Sequence, residues 1–279
     1  MGTFLGHALP GTLFIMFGFW WSVDCLNHYF KIISQRKSAN LNSIEYKFDF
    51  SNCRNRLLQG VSVLALTSFG IIGEYVTAFD KGPVMCKDNL QHMTMYSFFF
   101  LYGLSQLLTY FESPIPPDSE HFTVTLAFFM ESLLFYFHLH GRSHLDVHVH
   151  TLLIVATAFC TLACCYEWKY KDSLLASIGR PFGCLIQGTW FWQVGFILYN
   201  PLPGADMWKS HDHEQIMVIT SLFCWHVAAN VLILTVLCLR FHRKYKNIWS
   251  VGSDVSVVSR TSAKYRQLNT KESNVCTDY

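Results

Sequence analysis

Charge is scarce in this sequence. Asp, Glu, Lys and Arg make up only 14% of the 279 residues, against roughly 25% in soluble proteins. The two signs nearly cancel, leaving a net charge of +2. That gives nucleic acid no dense basic surface to bind. Familiar motifs are missing as well. There is no Asn-x-Ser/Thr sequon, so N-glycosylation is not expected. Neither HExxH nor a CxxC pair occurs, which removes the most recognisable zinc signatures. Asp-Arg-Tyr and Asn-Pro-x-x-Tyr are absent, which argues against a rhodopsin-like receptor. The opening MGTFLG has Gly6 where N-myristoylation wants Ser or Thr. The first apolar segment has neither a basic leader nor a small-residue cleavage site, so it is expected to be a retained span.

Apolar side chains, by contrast, are abundant: 51% of residues are hydrophobic and 24 are Phe. Crossing a bilayer takes about 20 mostly apolar residues. Segments 8–30, 57–79, 92–111, 122–140, 149–168, 181–199 and 214–239 meet that requirement. Lipid offers backbone groups no partners, so each should be helical. The expected fold class is an all-α membrane protein. Residues 1–242 would form a seven-transmembrane helix bundle, and the Ser/Thr-rich stretch 243–279 a disordered tail.

Basic residues orient the bundle. Loop 31–56 holds six, loop 169–180 three and the tail beyond 239 eight, against only Lys81, Lys87, Arg142 and Lys209 on the other side. The positive-inside rule puts the first group in the cytosol, the N-terminus in the lumen or outside, and the C-terminus in the cytosol. Of the ten cysteines, only Cys86 falls in an outer loop, so no disulfide between outer loops is available. Cys164 and Cys165, near the cytosolic end of the fifth span, are candidates for palmitoylation or for small apolar packing.

In this orientation nine of thirteen histidines gather near the outer face: His7, His92, His138, His140, His144, His148, His150, His211 and His213. Acidic Glu74, Asp146, Asp212 and Glu214 join them. Glu131 and His226 lie deeper. An ionisable group at that depth normally faces the bundle interior with a partner, so both are expected to point inward, either together or each satisfied separately. His144 and His148 share a helix face at i, i+4, a spacing that can chelate zinc. Gln187, Trp190 and Gln193 recur every three residues and suggest a polar stripe, as a cavity wall or as interhelical hydrogen bonds. Gly60, Gly70 and Gly73 read as sites of close helix packing. The outer histidines have three open readings: interfacial hydrogen bonding, a metal site, or a proton-linked or polar-ligand site.

These residues also resemble a known family. GHALPG (6–11), GE (73–74), HMTMY (92–96), ESLLFYFHLHGR (131–142), LD (145–146) with His150, GTWFWQVGFILY (188–199) and DHE…FCWH (212–226) are similar to the transmembrane protein 45 family. The resemblance implies a multi-pass protein of Golgi, endosomes and lysosomes with no established molecular activity. It also implies that His144, His148 and His211 are peculiar to this chain.

The first functional expectation is a non-enzymatic protein with a polar pocket open to the lumenal side, binding a small polar ligand, lipid headgroup or metal ion. Its candidate residues are His7, Glu74, His92, Glu131, His138, His140, Asp146, His150, Gln187, Gln193, His213, Glu214 and His226. His92, His138, His140 and His213 are the candidate ligands for zinc or another divalent metal; no cofactor is otherwise indicated, and no catalytic residue is assigned. A metal-dependent membrane hydrolase is the second reading. A proton-coupled channel or transporter using Glu131 and His226 is the third, and a scaffold working through its tail the last. In the tail, YKNI (245–248) and YRQL (265–268) match the tyrosine-based signal read by clathrin adaptors, with Tyr265 and Leu268 the better placed.

Overall fold

The computed structural model describes residues 3–38, 53–80, 82–139, 141–202, 204, 208 and 213–275. Within α1, α2 and α7, side chains are described for 4–35, 56–77 and 214–246. Among the described residues seven helices form, all of them α: α1 (Phe4–Ser38), α2 (Cys53–Thr77), α3 (Lys87–Tyr110), α4 (Ser119–Phe137), α5 (His144–Lys169), α6 (Leu174–Tyr199) and α7 (His213–Val275). Each covers one of the seven apolar runs. Four contain a stretch long and apolar enough to cross a membrane: Phe4–Gln35, Arg56–Thr77, His144–Lys169 and Glu214–Lys246. The helices α3, α4 and α6 fall outside this set. The helix α7 continues to Val275, past the expected domain end at 242.

The chain divides into two compact units. Leu26–Tyr46 and Thr235–Tyr279 form the smaller one, where Tyr245 donates to Asn27 Oδ1 at 2.9 Å and the His242 ring meets Phe30 edge-on. Met1–Cys25 and Lys47–Leu234 form the larger. Its centre is α6, whose Gln187, Trp190, Val194 and Ile197 are fully or almost fully buried. Trp190 Nε1 donates to the Val149 carbonyl of α5 at 3.0 Å, so its polar edge is satisfied inside an apolar cluster with Leu153 and Ile219.

Two glycines let α1 lie close against α6. A Cβ on Gly188 would stand 2.7 Å from the Gly11 carbonyl oxygen, and one on Gly11 would stand 2.9 Å from the Gly188 carbonyl. The expected packing glycines fare unevenly. Gly60 is pressed by Leu107 and Gly70 by the Tyr96 ring, but Gly73 faces open space. The outer surface is apolar, as a bilayer requires. Phe69, Ile72, Leu162, Trp225 and Leu232 are all well exposed.

Candidate functional site

The site begins at a turn. The helix α4 stops at Phe137. Gly141 then carries the chain round at φ +79°, a conformation that disfavours a side chain. Ser143 then caps α5 by accepting from the Asp146 N–H at 3.3 Å. This turn brings His138, Arg142, Asp146 and His150 together. Arg142 donates to Asp146 Oδ2 at 3.0 Å and to the His138 carbonyl at 2.9 Å, and its Nη2 closes on His138 Nε2. His150 Nδ1 meets Asp146 Oδ1 at 2.7 Å and the Asp146 carbonyl at 2.9 Å.

Other helices extend the layer. From α1, His7 is buried with its ring 5.7 Å from that of His150 and 5.3 Å from Tyr199 of α6. Its Nδ1 lies 3.0 Å from the Thr3 carbonyl oxygen. From α3, the His92 ring sits 6.2 Å from His138, and its Nδ1 meets Glu74 Oε1 of α2 at 3.0 Å. Asn89 donates to the other Glu74 oxygen at 2.7 Å. Gln91 Oε1 accepts from His138 Nδ1 at 2.5 Å. Residues from α1, α2, α3 and α5 and from the α4–α5 turn therefore form one continuous polar layer, with Tyr199 of α6 against its edge.

The partners assign the tautomers. Carbonyl, carboxylate and amide oxygens accept, so Nδ1 carries the proton in His7, His92, His138 and His150. In a neutral ring Nε2 is then an acceptor. Arg142 occupies that position on His138. On His7, His92 and His150 no hydrogen bond to Nε2 is found among the described residues.

The remaining expected residues are placed less favourably. Glu131 is fully buried and points inward, where Gln187 Nε2 donates to its Oε1 at 2.6 Å. Its Oε2 has no partner among the described residues. His226 rests edge-on against Trp190 at 5.6 Å instead of meeting Glu131. Glu131 and His226 do not meet, and only one Glu131 oxygen is bonded among the described residues. Gln187 also accepts from Cys160 Sγ at 3.5 Å. Gln193 is half-buried and does not extend this contact. Three-residue steps fall about 60° short of a full turn each, so 187 and 193 diverge by about 120°. Glu214 is exposed at the start of α7. His148 leaves the layer for Thr220 Oγ1 at 2.9 Å, and His144 is exposed, so this i, i+4 pair does not join it. His140, His211 and the side chain of His213 lie outside the described residues, as do the side chains of Tyr265 and Leu268. Among the described residues, no three His, Cys, Asp or Glu side chains come together as a metal site. Cys165 is exposed, but Cys164 is buried and closed to an acyl transferase.

A second polar cluster escaped the sequence reading. Near the opposite ends of the helices, Arg180 Nε donates to Glu167 Oε2 at 2.7 Å, and both side chains are almost wholly buried. The Arg180 guanidinium also lies 4.4 Å over the Trp21 ring. Arg56 pairs with Glu120 at 3.4 Å beside a cavity of about 20 Å³ that Gln106 and His121 also line. Burial pushes the Glu120 carboxyl above its ordinary value, against the pull of Arg56. Outside this cluster, Asp118 is held below its ordinary value by Lys171. The available signal was Glu167 inside the fifth apolar run; Arg180 was counted as a loop charge.

Comparison with known proteins bears on the same residues. Residues 117–239 match a family of unknown function (DUF716). The chain is similar to transmembrane epididymal protein 1A of Mus musculus, 26% identical over 251 residues, covering 83% of this chain and 78% of the relative. It is equally similar to transmembrane epididymal protein 1 of Rattus norvegicus, with the same identity and coverage. The Homo sapiens protein of that name is 30% identical over 148 residues, 52% of this chain and 53% of the relative. These findings correct the resemblance drawn from the motifs. They point to DUF716 and the transmembrane epididymal proteins, not to the transmembrane protein 45 family. The relatives' names and the apolar helices agree on a multi-pass membrane protein. The matched segment contains His138, Arg142, Asp146, His150 and the Glu167–Arg180 pair; His7, Glu74 and His92 precede it.

Proposed function

We propose that this is a seven-span membrane protein with its N-terminus outside and its tail in the cytosol, whose outer polar layer binds a small polar ligand or lipid headgroup. The observation that carries this reading is the shared orientation of His7, His92, His138 and His150, each with Nδ1 turned to an acceptor. Three Nε2 lone pairs, with the Glu74 and Asp146 carboxylates beside them, form a surface of acceptors. Such a surface suits a group rich in hydrogen-bond donors, a hydroxyl or an amine. A metal site would need His140 or His213, whose side chains are outside the described residues. Glu131 meets Gln187 while His226 rests against Trp190, which gives a proton relay between the two no support. The division at 242, the acylation of Cys165 and the adaptor signal at Tyr265 and Leu268 belong to the same proposal. That signal is what supports a Golgi, endosomal or lysosomal route.

Chemical modification tests the binding surface. Diethyl pyrocarbonate should modify His92 readily and the buried His7 and His150 more slowly in the solubilised protein, and glycerol, a hydroxyl donor that does not deplete the reagent as an amine would, should slow the reaction. Modification unchanged by glycerol would sink the reading. Protection by Zn²⁺ alone would replace it with the metal reading.

A further inference from the structure

Immediately inward of the outer histidines lies a partly open cavity of about 80 Å³. Pro10, Phe14 and Trp21 of α1, Val63 of α2, Tyr96 of α3 and Phe128 of α4 are among its walls, and almost all the lining surface is carbon. Its upper rim adjoins the polar layer. Pro10 follows His7 by three residues and Tyr96 follows His92 by four, about one helical turn in each case. Tyr96 is within electrostatic reach of Glu74. The lower end is marked by Trp21 and Tyr102. Along α1 and α3 the cavity therefore runs roughly 10–16 Å at 1.5 Å per residue. Water would find too few polar partners there to be held. A bilayer offers another occupant, since hydrocarbon chains surround the exposed apolar faces of the same helices.

We propose that the ligand of the outer layer is a single-chain amphiphile. Its hydroxyl or amine head lies among His7, His92, His150 and Glu74, and its hydrocarbon tail fills the cavity between α1 and α4. The proposal rests on the outer layer being a binding site and adds the chemical class of what binds. Acceptors above call for a donating head, and carbon walls below call for a tail. The volume excludes two chains side by side and takes part of one, whose remainder leaves by the open side.

Photolabelling of the full chain in nanodiscs tests this. The probe is a long-chain amino alcohol with a diazirine in mid-chain, and a fatty acid bearing the same diazirine is the control. The amino alcohol should label the segments around Phe14–Trp21 and Met95–Tyr102, and the fatty acid should label them far less. Val63→Trp, or the milder Leu66→Phe if the first fails to fold, should cut that labelling roughly tenfold, about 1.4 kcal/mol, without slowing diethyl pyrocarbonate at His92. Label confined to lipid-facing positions such as Leu162 and Leu232, or indifferent to both fillers, would overturn the tail's placement. If the amino alcohol still shields the histidines in that case, the headgroup reading survives alone. If it shields none of them, both readings fall.

Discussion

Arg180 gives up nearly all its hydration to reach Glu167, and the Trp21 face beneath it replaces part of what is lost. Pairs of this kind contribute little net stability, yet halving one leaves a charge stranded. Arg180→Met alone should therefore lower unfolding free energy by about 3–5 kcal/mol, and Arg180→Met with Glu167→Leu should recover most of that loss. Reversible unfolding in mixed micelles would measure both, and a double variant no better than the single would refute the account. At this scale the sequence was legible only in part. The outer histidines were found by their position along the chain, because the turn at Gly141 and the cap at Ser143 hold them together locally. The tautomers of His92 and His138 were not legible, since they depend on Glu74 and Gln91 arriving from other helices. Arg142 was read only as a loop charge, although it is the link between His138 and Asp146.

Between elements, the decisive contact is the approach of α1 to α6. Gly188→Ala would push a methyl into the Gly11 carbonyl, and overpacking of that sort costs about 1–3 kcal/mol. Gly73→Ala meets nothing within 4 Å and should gain up to about 1 kcal/mol from helix propensity. Melting temperatures of the two variants should move in opposite directions; a shared direction would mean that the spacing of α1 and α6 is not set by these glycines. The seven apolar runs located the seven helices well. They did not distinguish the two kinds of glycine, because whether a residue faces a neighbour depends on how the helices pack. The expected stripe of Gln187 and Gln193 failed for a simpler reason, the angular drift of a three-residue step.

For the molecule as a whole, topology is the property most open to test. In the proposed orientation, drawn from the excess of basic residues in alternate loops, Cys86 would lie outside and Cys165 within. A membrane-impermeant maleimide should label Cys86 on intact cells if the chain reaches the surface, or in inverted vesicles if it stays inside. Cys165 should react only from the opposite face. Labelling of both from one side would reject the seven-span arrangement.

The bond from Gln187 to Glu131 also has a consequence for synthesis. Its partners are 56 residues apart in the chain. At 5–20 residues per second, α4 is made about 3–11 s before the amide that will serve its carboxyl. In a seven-span topology the ribosome thus delivers an acidic helix to the translocon with its partner still unmade. During that interval α4 depends on water, on the insertion machinery or on the earlier helices, and a stall between residues 131 and 187 would prolong it.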